Sequence, residues 1–309
     1  LFGDRIGVEY THYNKLTKDA LVNVNNAPSL GTSPNRFINV GKVRNSGHEV
    51  LLRAGILQGR LVKFDMTVNG SFTKNNLEDL GADENGVAIP EFTGGFDATQ
   101  IFRTGVPLGA YWTNAVTYAD ANGDGMIGCP DGPGVASCEM TISDDPSLIG
   151  TPFPKAEISI APSLQVGWAR ITATLDRRTG HKLYNLTGVY RNAIFANGVA
   201  VQLPDASNLQ QQAAAQAAAL GFNGGFIEDA SFTKLREVAL SLTLPPRFAA
   251  RAGAGSAVLT FAGRNLHTWT NYSGLDPEVN AGAQANFSTA DFLTAPNVRY
   301  FTARLALSF

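Results

Sequence analysis

The chain ends Val298-Arg-Tyr-Phe-Thr-Ala-Arg-Leu-Ala-Leu-Ser-Phe309, and that ending limits the possible folds more than any other stretch. Counting back from Phe309, one phase holds Leu307, Leu305, Ala303 and Phe301; the other holds Ser308, Ala306, Arg304, Thr302 and Tyr300. Side chains of a strand alternate between its faces, so this is a ribbon with one apolar side and one mostly polar side. Such a ribbon suits two settings. In a membrane barrel the apolar side meets lipid and the last strand closes the sheet. In a soluble β-protein the apolar side packs inward against a second layer.

Charge helps to choose between them. Charged residues make up 16% of the 309, against 44% hydrophobic, where a water-facing domain carries about 25% charged. No apolar run approaches the roughly 20 residues of a membrane helix, which excludes a helical membrane protein and leaves a barrel open. The net charge of −2, without a basic cluster, excludes nucleic acid as a partner. The chain opens Leu1-Phe2-Gly3-Asp4-Arg5, with no Met and no signal segment, and reads as a piece of a longer protein.

The same alternation recurs at Ile6–Tyr10, at 50–56, at Val62–Val68, at 156–168 across Pro162, at 171–176 and at 238–244. Phe102 to Trp112 and Ala257 to Phe261 are further candidates, giving roughly nine or ten strands, several long enough to cross a bilayer when tilted. Pro162 predicts a bulge or break. The connections fall into two sizes. Leu57-Gln-Gly-Arg60 and Gly167-Trp-Ala169 read as tight turns, whereas 77–100, 113–154, 177–225 and 270–295 are long and rich in Gly, Asn, Asp and Pro. One loop helix is expected at Asn208–Leu220, capped by Ser207 or Asn208 and stopped by Gly221.

Several segments resemble the SusC/RagA-type TonB-dependent transporters. Arg5-Ile-Gly-Val-Glu-Tyr-Thr-His-Tyr-Asn14 with Thr17-Lys-Asp19 resembles a strand and its exit, and Asn39-Val-Gly-Lys-Val-Arg-Asn-Ser-Gly-His-Glu49 resembles a family hairpin. Gly105-Val-Pro-Leu-Gly109 is similar to another family segment. The most specific are Phe226-Ile-Glu-Asp-Ala-Ser-Phe-Thr-Lys-Leu-Arg236 and Gly263-Arg-Asn-Leu-His-Thr-Trp-Thr-Asn-Tyr-Ser-Gly-Leu-Asp-Pro-Glu278. The resemblance implies an all-β fold for residues 1–309: the C-terminal portion of a transmembrane antiparallel barrel, a strongly curved meander with long extracellular loops. Complete barrels of this kind have about 22 strands around a plug domain, which these segments do not include. The implied function is a share in importing large nutrients, oligosaccharides or peptides, across the outer membrane of a Gram-negative bacterium. The implied partners are a SusD-like surface lipoprotein, TonB through the N-terminal part, the barrel-assembly machinery and the lipid bilayer. Phe301, Leu305, Leu307 and Phe309 would be the assembly signal. The alternative is a soluble secreted β-sandwich, an adhesion or carbohydrate-binding module.

Few residues carry chemistry. Asp120-Ala-Asn-Gly-Asp-Gly-Met-Ile-Gly-Cys-Pro-Asp131 has calcium-loop spacing, with side-chain oxygens from Asp120, Asn122, Asp124 and Asp131 and the carbonyl of Met126. Position 12 is the shorter Asp, no helices flank the loop, and an Asx/Gly-rich turn that binds nothing is the competing reading. Cys129 and Cys138 share this loop, and an exported location favours a disulfide. The histidines show no nucleophilic or zinc-binding pattern, adjacent Glu228 and Asp229 point to opposite faces of a strand, and Arg177-Arg178 reads as a solvated turn. Nothing argues for an enzyme. The loop aromatics Trp112, Tyr118, Trp269 and Tyr272 are candidates for stacking on substrate, with a membrane-interface belt or loop packing the better reading of Trp269 and Tyr272.

Overall fold

Alternating sequence becomes an eight-stranded antiparallel meander. The structure, a computed structural model, describes residues 5–25, 35–82, 86–130, 132, 135, 137–282 and 288–309, and between 20 and 40 the backbone alone. The strands are β1 (Ile6–Asn25), β2 (Asn35–Gln58), β3 (Val62–Asp79), β4 (Ala156–Val166), β5 (Ala169–Thr179), β6 (Phe232–Thr243), β7 (Ser256–Thr270) and β8 (Tyr300–Ser308). Each pairs with its sequence neighbours, and β1 and β8 are the two edges of an open sheet.

The register assembles the local alternation into two continuous faces, because residues directly opposite share a side. Leu57, Phe64, Leu164, Ile171, Leu240, Phe261 and Ala303 form one row across seven strands. Val62, Val166, Ala169, Leu242, Leu259 and Leu305 form the next. On the other face, Gln58, Lys63, Gln165, Arg170, Ser241, Thr260 and Arg304 make an equally continuous polar row. Among the described residues, no second sheet covers the apolar rows. Leu57 is 53% exposed, Ile171 49%, Phe261 46% and Leu305 58%. A sandwich, whose apolar faces pack together, is not what this sheet forms. Leu244 departs from the expected series: it lies past the end of β6 and packs on Ala249, Ala254 and Ala257 beside the short helix Pro246–Arg251.

The connections sort by end. Gly59 to Leu61, Gly167-Trp168 and residues 244–255 close one end, with Gly167 at φ 59° in a two-residue turn that few side chains tolerate. Residues 80–155, 180–231 and 271–299 leave from the other. Phe102 to Trp112 is not a long strand. It folds as two short strands, Gln100–Phe102 and Ala110–Thr113, joined through Gly105-Val-Pro-Leu-Gly109 inside the first excursion. The 39–49 segment is not a hairpin but the middle of β2. There Tyr13 lies across Gly47, and an added Cβ would come within 2.7 Å of its hydroxyl and collide with the Phe72 carbonyl. Pro162 causes no bulge. Its missing donor falls on the β4–β5 ladder, where pairing lapses at Ala161 and Pro162 and resumes in the same register. Register does shift at Arg236, an extra residue that sets both Arg236 and Glu237 on the polar face, matched on β7 by Asn265 at φ 51°, and on the β2–β3 ladder at Ile56 and Glu78.

The apolar core lies in the loops. Tyr111 from the first excursion, Tyr184, Leu186, Val189, Phe226 and Ile227 from the second, and Ala290 from the third form one buried cluster. The expected helix, Leu209–Ala219, is present with Asn208 at its N-cap position and Gly221 ending it at φ 91°. Its alanines allow close packing against Ile127 and Met140 of the first excursion. The long loops are one folded layer.

Candidate functional site

The two most specific sequence segments prove to be physical partners. Lys234, only 4% exposed, donates to Asp276 Oδ1 and Glu278 Oε2, each at 2.6 Å. Arg236 forks onto both Glu278 oxygens at 2.6 and 2.5 Å and reaches Asp176 Oδ2 at 2.8 Å. Arg178 adds Glu157 at 2.9 Å and stands 3.5 Å from Glu278, while Phe232 lies beneath all three cations. The third excursion is thus clamped to the polar face by Asp276 and Glu278. Burial opposes ionisation of Glu278, yet the hydrogen bonds and charges of Arg236 and Lys234 outweigh it and hold that carboxyl down at about 2. Arg177-Arg178 is therefore part of a strand, with Arg178 in the clamp, and not a solvated turn.

Above the clamp, buried polar groups tie the three excursions together. Asn185 caps the short helix Leu186–Val189 and donates to Glu228 Oε1 at 2.9 Å and Ser273 Oγ at 3.0 Å. Tyr272 donates to Asp291 at 3.0 Å, Tyr184 to Asp97 at 2.7 Å, and Tyr111 to the Thr289 carbonyl at 2.8 Å. Burial raises the Glu228 and Asp291 carboxyls, against hydrogen bonds that favour their ionised forms. It also raises the Tyr111 phenol to about 12. His181 is pressed down to about 4 by burial, which the charge of Asp229 only partly offsets. Among the described residues its Nδ1 has no hydrogen-bond partner. Nothing local in the sequence announces this network, because its members are single polar residues far apart in the chain.

The calcium-like loop is closed on its own amides. Asp120 accepts from the backbone N–H groups of Gly123, Asp124 and Gly125, and Asp124 accepts from Met126. Glu139 accepts from Ala121, Asn122 and Gly128. Asp131 lies outside the described residues, and among the described residues no group of three or more His, Cys, Asp or Glu side chains is placed to hold a metal. Cys129 and Cys138 are disulfide-bonded. The four aromatics separate. Tyr118 is exposed and lines an open groove of about 530 Å³ with Asn122, Pro130 and Glu139. Trp112 is half-buried under Arg103. Tyr272 is buried among Leu183 and Ala230. Trp269, half-exposed, stands on the apolar face, at the loop end of a register row that runs through Thr233, Arg177, Ile158, Gly70 and Val50 to Tyr10. Phe301, Leu305 and Leu307 point outward on that face of β8, and Phe309 follows the strand, 88% exposed.

No family model matches the chain. Two curated proteins of Formosa agariphila are similar to it. TonB-dependent receptor P3 is 23% identical over 335 residues, covering 100% of this chain and 33% of that protein. TonB-dependent receptor P26 is 23% identical over 311 residues, covering 90% and 30%. The chain spans about a third of the length of these relatives. The solved RagAB peptide transporter aligns with a TM-score of 0.74 at 20% identity, over 100% of this chain and 34% of that one. The RagAB peptide importer in its open-open state gives 0.70 at 21% identity, over 100% and 33%. Proteins named as TonB-dependent receptors therefore match 90–100% of the chain in sequence, and RagAB transporters match its whole length in fold.

Proposed function

We propose that this chain is part of the wall of an outer-membrane β-barrel, the C-terminal portion of a SusC/RagA-like TonB-dependent transporter in a Gram-negative bacterium. Its apolar rows face lipid, its polar rows face the lumen, and the loop layer stands at the extracellular mouth. Large nutrients, peptides or oligosaccharides, pass there. A SusD-like surface lipoprotein meets the loop end, and contact with TonB belongs to parts of the transporter outside these residues. Tyr118, on an open groove, is the aromatic best placed to meet substrate.

The observation that carries this reading is the uncovered apolar face beside a fully cored loop layer. In water each half-exposed Leu or Phe of that face would forgo roughly 1 kcal/mol of burial; in lipid nothing is lost. The apolar phase of β4 from Ile158 to Val166 spans roughly 26 Å at about 3.3 Å per residue, the height of a barrel's lipid band. Tyr10 and Trp269 flank it at one end and Trp168 at the other, the positions of interfacial aromatics. The test compares neighbours on opposite faces of β6. Leu240→Arg in the transporter should cost about 2–4 kcal/mol and deplete the folded form from outer membranes, whereas Ser241→Arg should leave it near wild type. Equal depletion by both, or normal assembly of Leu240→Arg, overturns the lipid-facing assignment.

A further inference from the structure

Two histidines oppose each other on β1 and β2, two residues beyond Tyr10 and Val50 towards the loop end of the sheet. His12 pairs directly with His48 across the antiparallel ladder, and the ring centres are 4.8 Å apart. Both side chains are exposed. They share a face with Tyr10, whose hydroxyl is 2.7 Å from His48 Nδ1.

We infer that His12 and His48 chelate a late first-row divalent cation, copper(II) above nickel(II) or zinc(II). Two imidazoles that each give one nitrogen to the same ion, at about 2.0–2.1 Å, hold their ring centres roughly 4.5–5 Å apart. The observed spacing meets that requirement before any ion arrives. The ladder fixes it through backbone pairing, so binding orders little that is not already ordered. Tyr10 completes the arrangement: when His48 Nδ1–H donates to the phenol oxygen, Nε2 keeps its lone pair for the ion, the outer contact that ligating histidines characteristically make. Neutral imidazole selects copper, nickel and zinc over calcium and magnesium, and the affinity order peaks at copper. With two protein nitrogens and water in the remaining positions, the site is open and exchangeable. It depends on neither the transport reading nor the Asp120 loop.

The test is titration of the purified protein in detergent with copper(II), followed by calorimetry and electron paramagnetic resonance, with calcium as the oxygen-preferring control. One copper per chain with a two-nitrogen signature is expected at this site, with no calcium competition. His12→Gln and His48→Gln should each remove the signature and weaken binding at least tenfold. Tyr10→Phe should weaken it by roughly tenfold, and His267→Gln, exposed on another strand, should leave it intact. Melting curves recorded in chelator separate loss of the site from loss of the fold. Wild-type copper affinity in the His12→Gln/His48→Gln double variant, with an unchanged melting curve, overturns the proposal, as does loss of the signature in His267→Gln.

Discussion

The sheet and the loop layer are built from one chain by opposite rules. In the loop layer, large side chains such as Tyr111, Tyr184 and Phe226 are completely buried, and the polar residues among them, Asn185, Gln212 and Glu228, are hydrogen-bonded. In the sheet, among the described residues, only Val43, Leu77, Phe232, Ala239, Ala257 and Ala262 of the apolar side chains are buried. Leucines and phenylalanines there are exposed or half-exposed along whole register rows. One sequence satisfies both rules when the two regions meet different solvents. Water drives apolar groups inside the loop layer, whereas lipid is as apolar as the leucines it meets and drives nothing.

The largest expected effects break or sharpen that contrast directly. Phe226→Ala empties a completely buried position and should cost about 3–5 kcal/mol, read as a lower denaturant midpoint for the loop layer. If the apolar face meets lipid, Leu242→Ala removes a side chain whose space lipid refills, and should cost less than about 1 kcal/mol in a bilayer. Equal losses would mean that both regions face the same solvent.

The clamp is where the regions meet. Glu278→Ala leaves Lys234 and Arg236 side by side without their shared carboxylate. Removing one partner of a buried ion pair costs about 3–5 kcal/mol, and the lower end suits a carboxylate not wholly buried. The third excursion should become open to protease while the strands stay protected. Unchanged proteolysis would show that the loop layer holds itself in place without this anchor.

Much of the sheet was legible in the sequence, because a strand with one apolar face records its orientation residue by residue. The terminal ribbon, the 62–68 and 171–176 segments and the short turns all appear where alternation puts them. Alternation does not report what a segment pairs with. Phe102 to Trp112 carries the pattern yet turns back on itself, since Leu108 and Phe102 bury against Val43 and Leu77. The Arg236 bulge, which changes the phase of β6, is visible only once both neighbouring ladders are in place. The Phe232–Arg236 and Asp276–Glu278 stretches were legible as motifs, but not as partners across 42 residues of chain. For Tyr272 the sequence offers substrate stacking with belt or loop packing as the better reading, and the fold decides for packing, giving its hydroxyl to Asp291 and its ring to the core.

Acid should loosen the loop layer before the sheet. His181 has a folded pKa of about 4, below the ordinary 6.5, so the unfolded state binds its proton first. Its contribution is intact above about pH 6.5 and is lost as pH falls from there towards 4. Glu278 adds a second window, its contribution lost as pH falls from 4.5 towards about 2. Glu228 and Asp291 act in the opposite sense, because their raised pKa values favour the folded state once they are protonated. His181→Leu isolates the first window, and its loop layer should show a flatter pH dependence of protease resistance between pH 6.5 and 4 than wild type. An unchanged slope would assign the acid response elsewhere.

The smallest effects separate the two exposed aromatics. Tyr118 and Trp269 are about equally open, at 42% and 50%, yet one lines a groove in the loop layer and the other ends a row of the apolar face. Neither anchors a core, so truncation of Tyr118 should change stability by less than about 0.5 kcal/mol. What differs is what each ring meets. If the loop layer receives substrate, Tyr118→Ala removes a stacking surface worth about 0.5–1.5 kcal/mol and should slow growth on limiting peptide or oligosaccharide mixtures at normal transporter levels. On the proposed reading, where Trp269 is an interfacial ring of a barrel wall, Trp269→Ala should instead leave uptake per folded transporter unchanged and lower only the amount of folded protein in the membrane. The reverse pattern, with uptake lost through Trp269 and assembly through Tyr118, would exchange the roles assigned to the two regions.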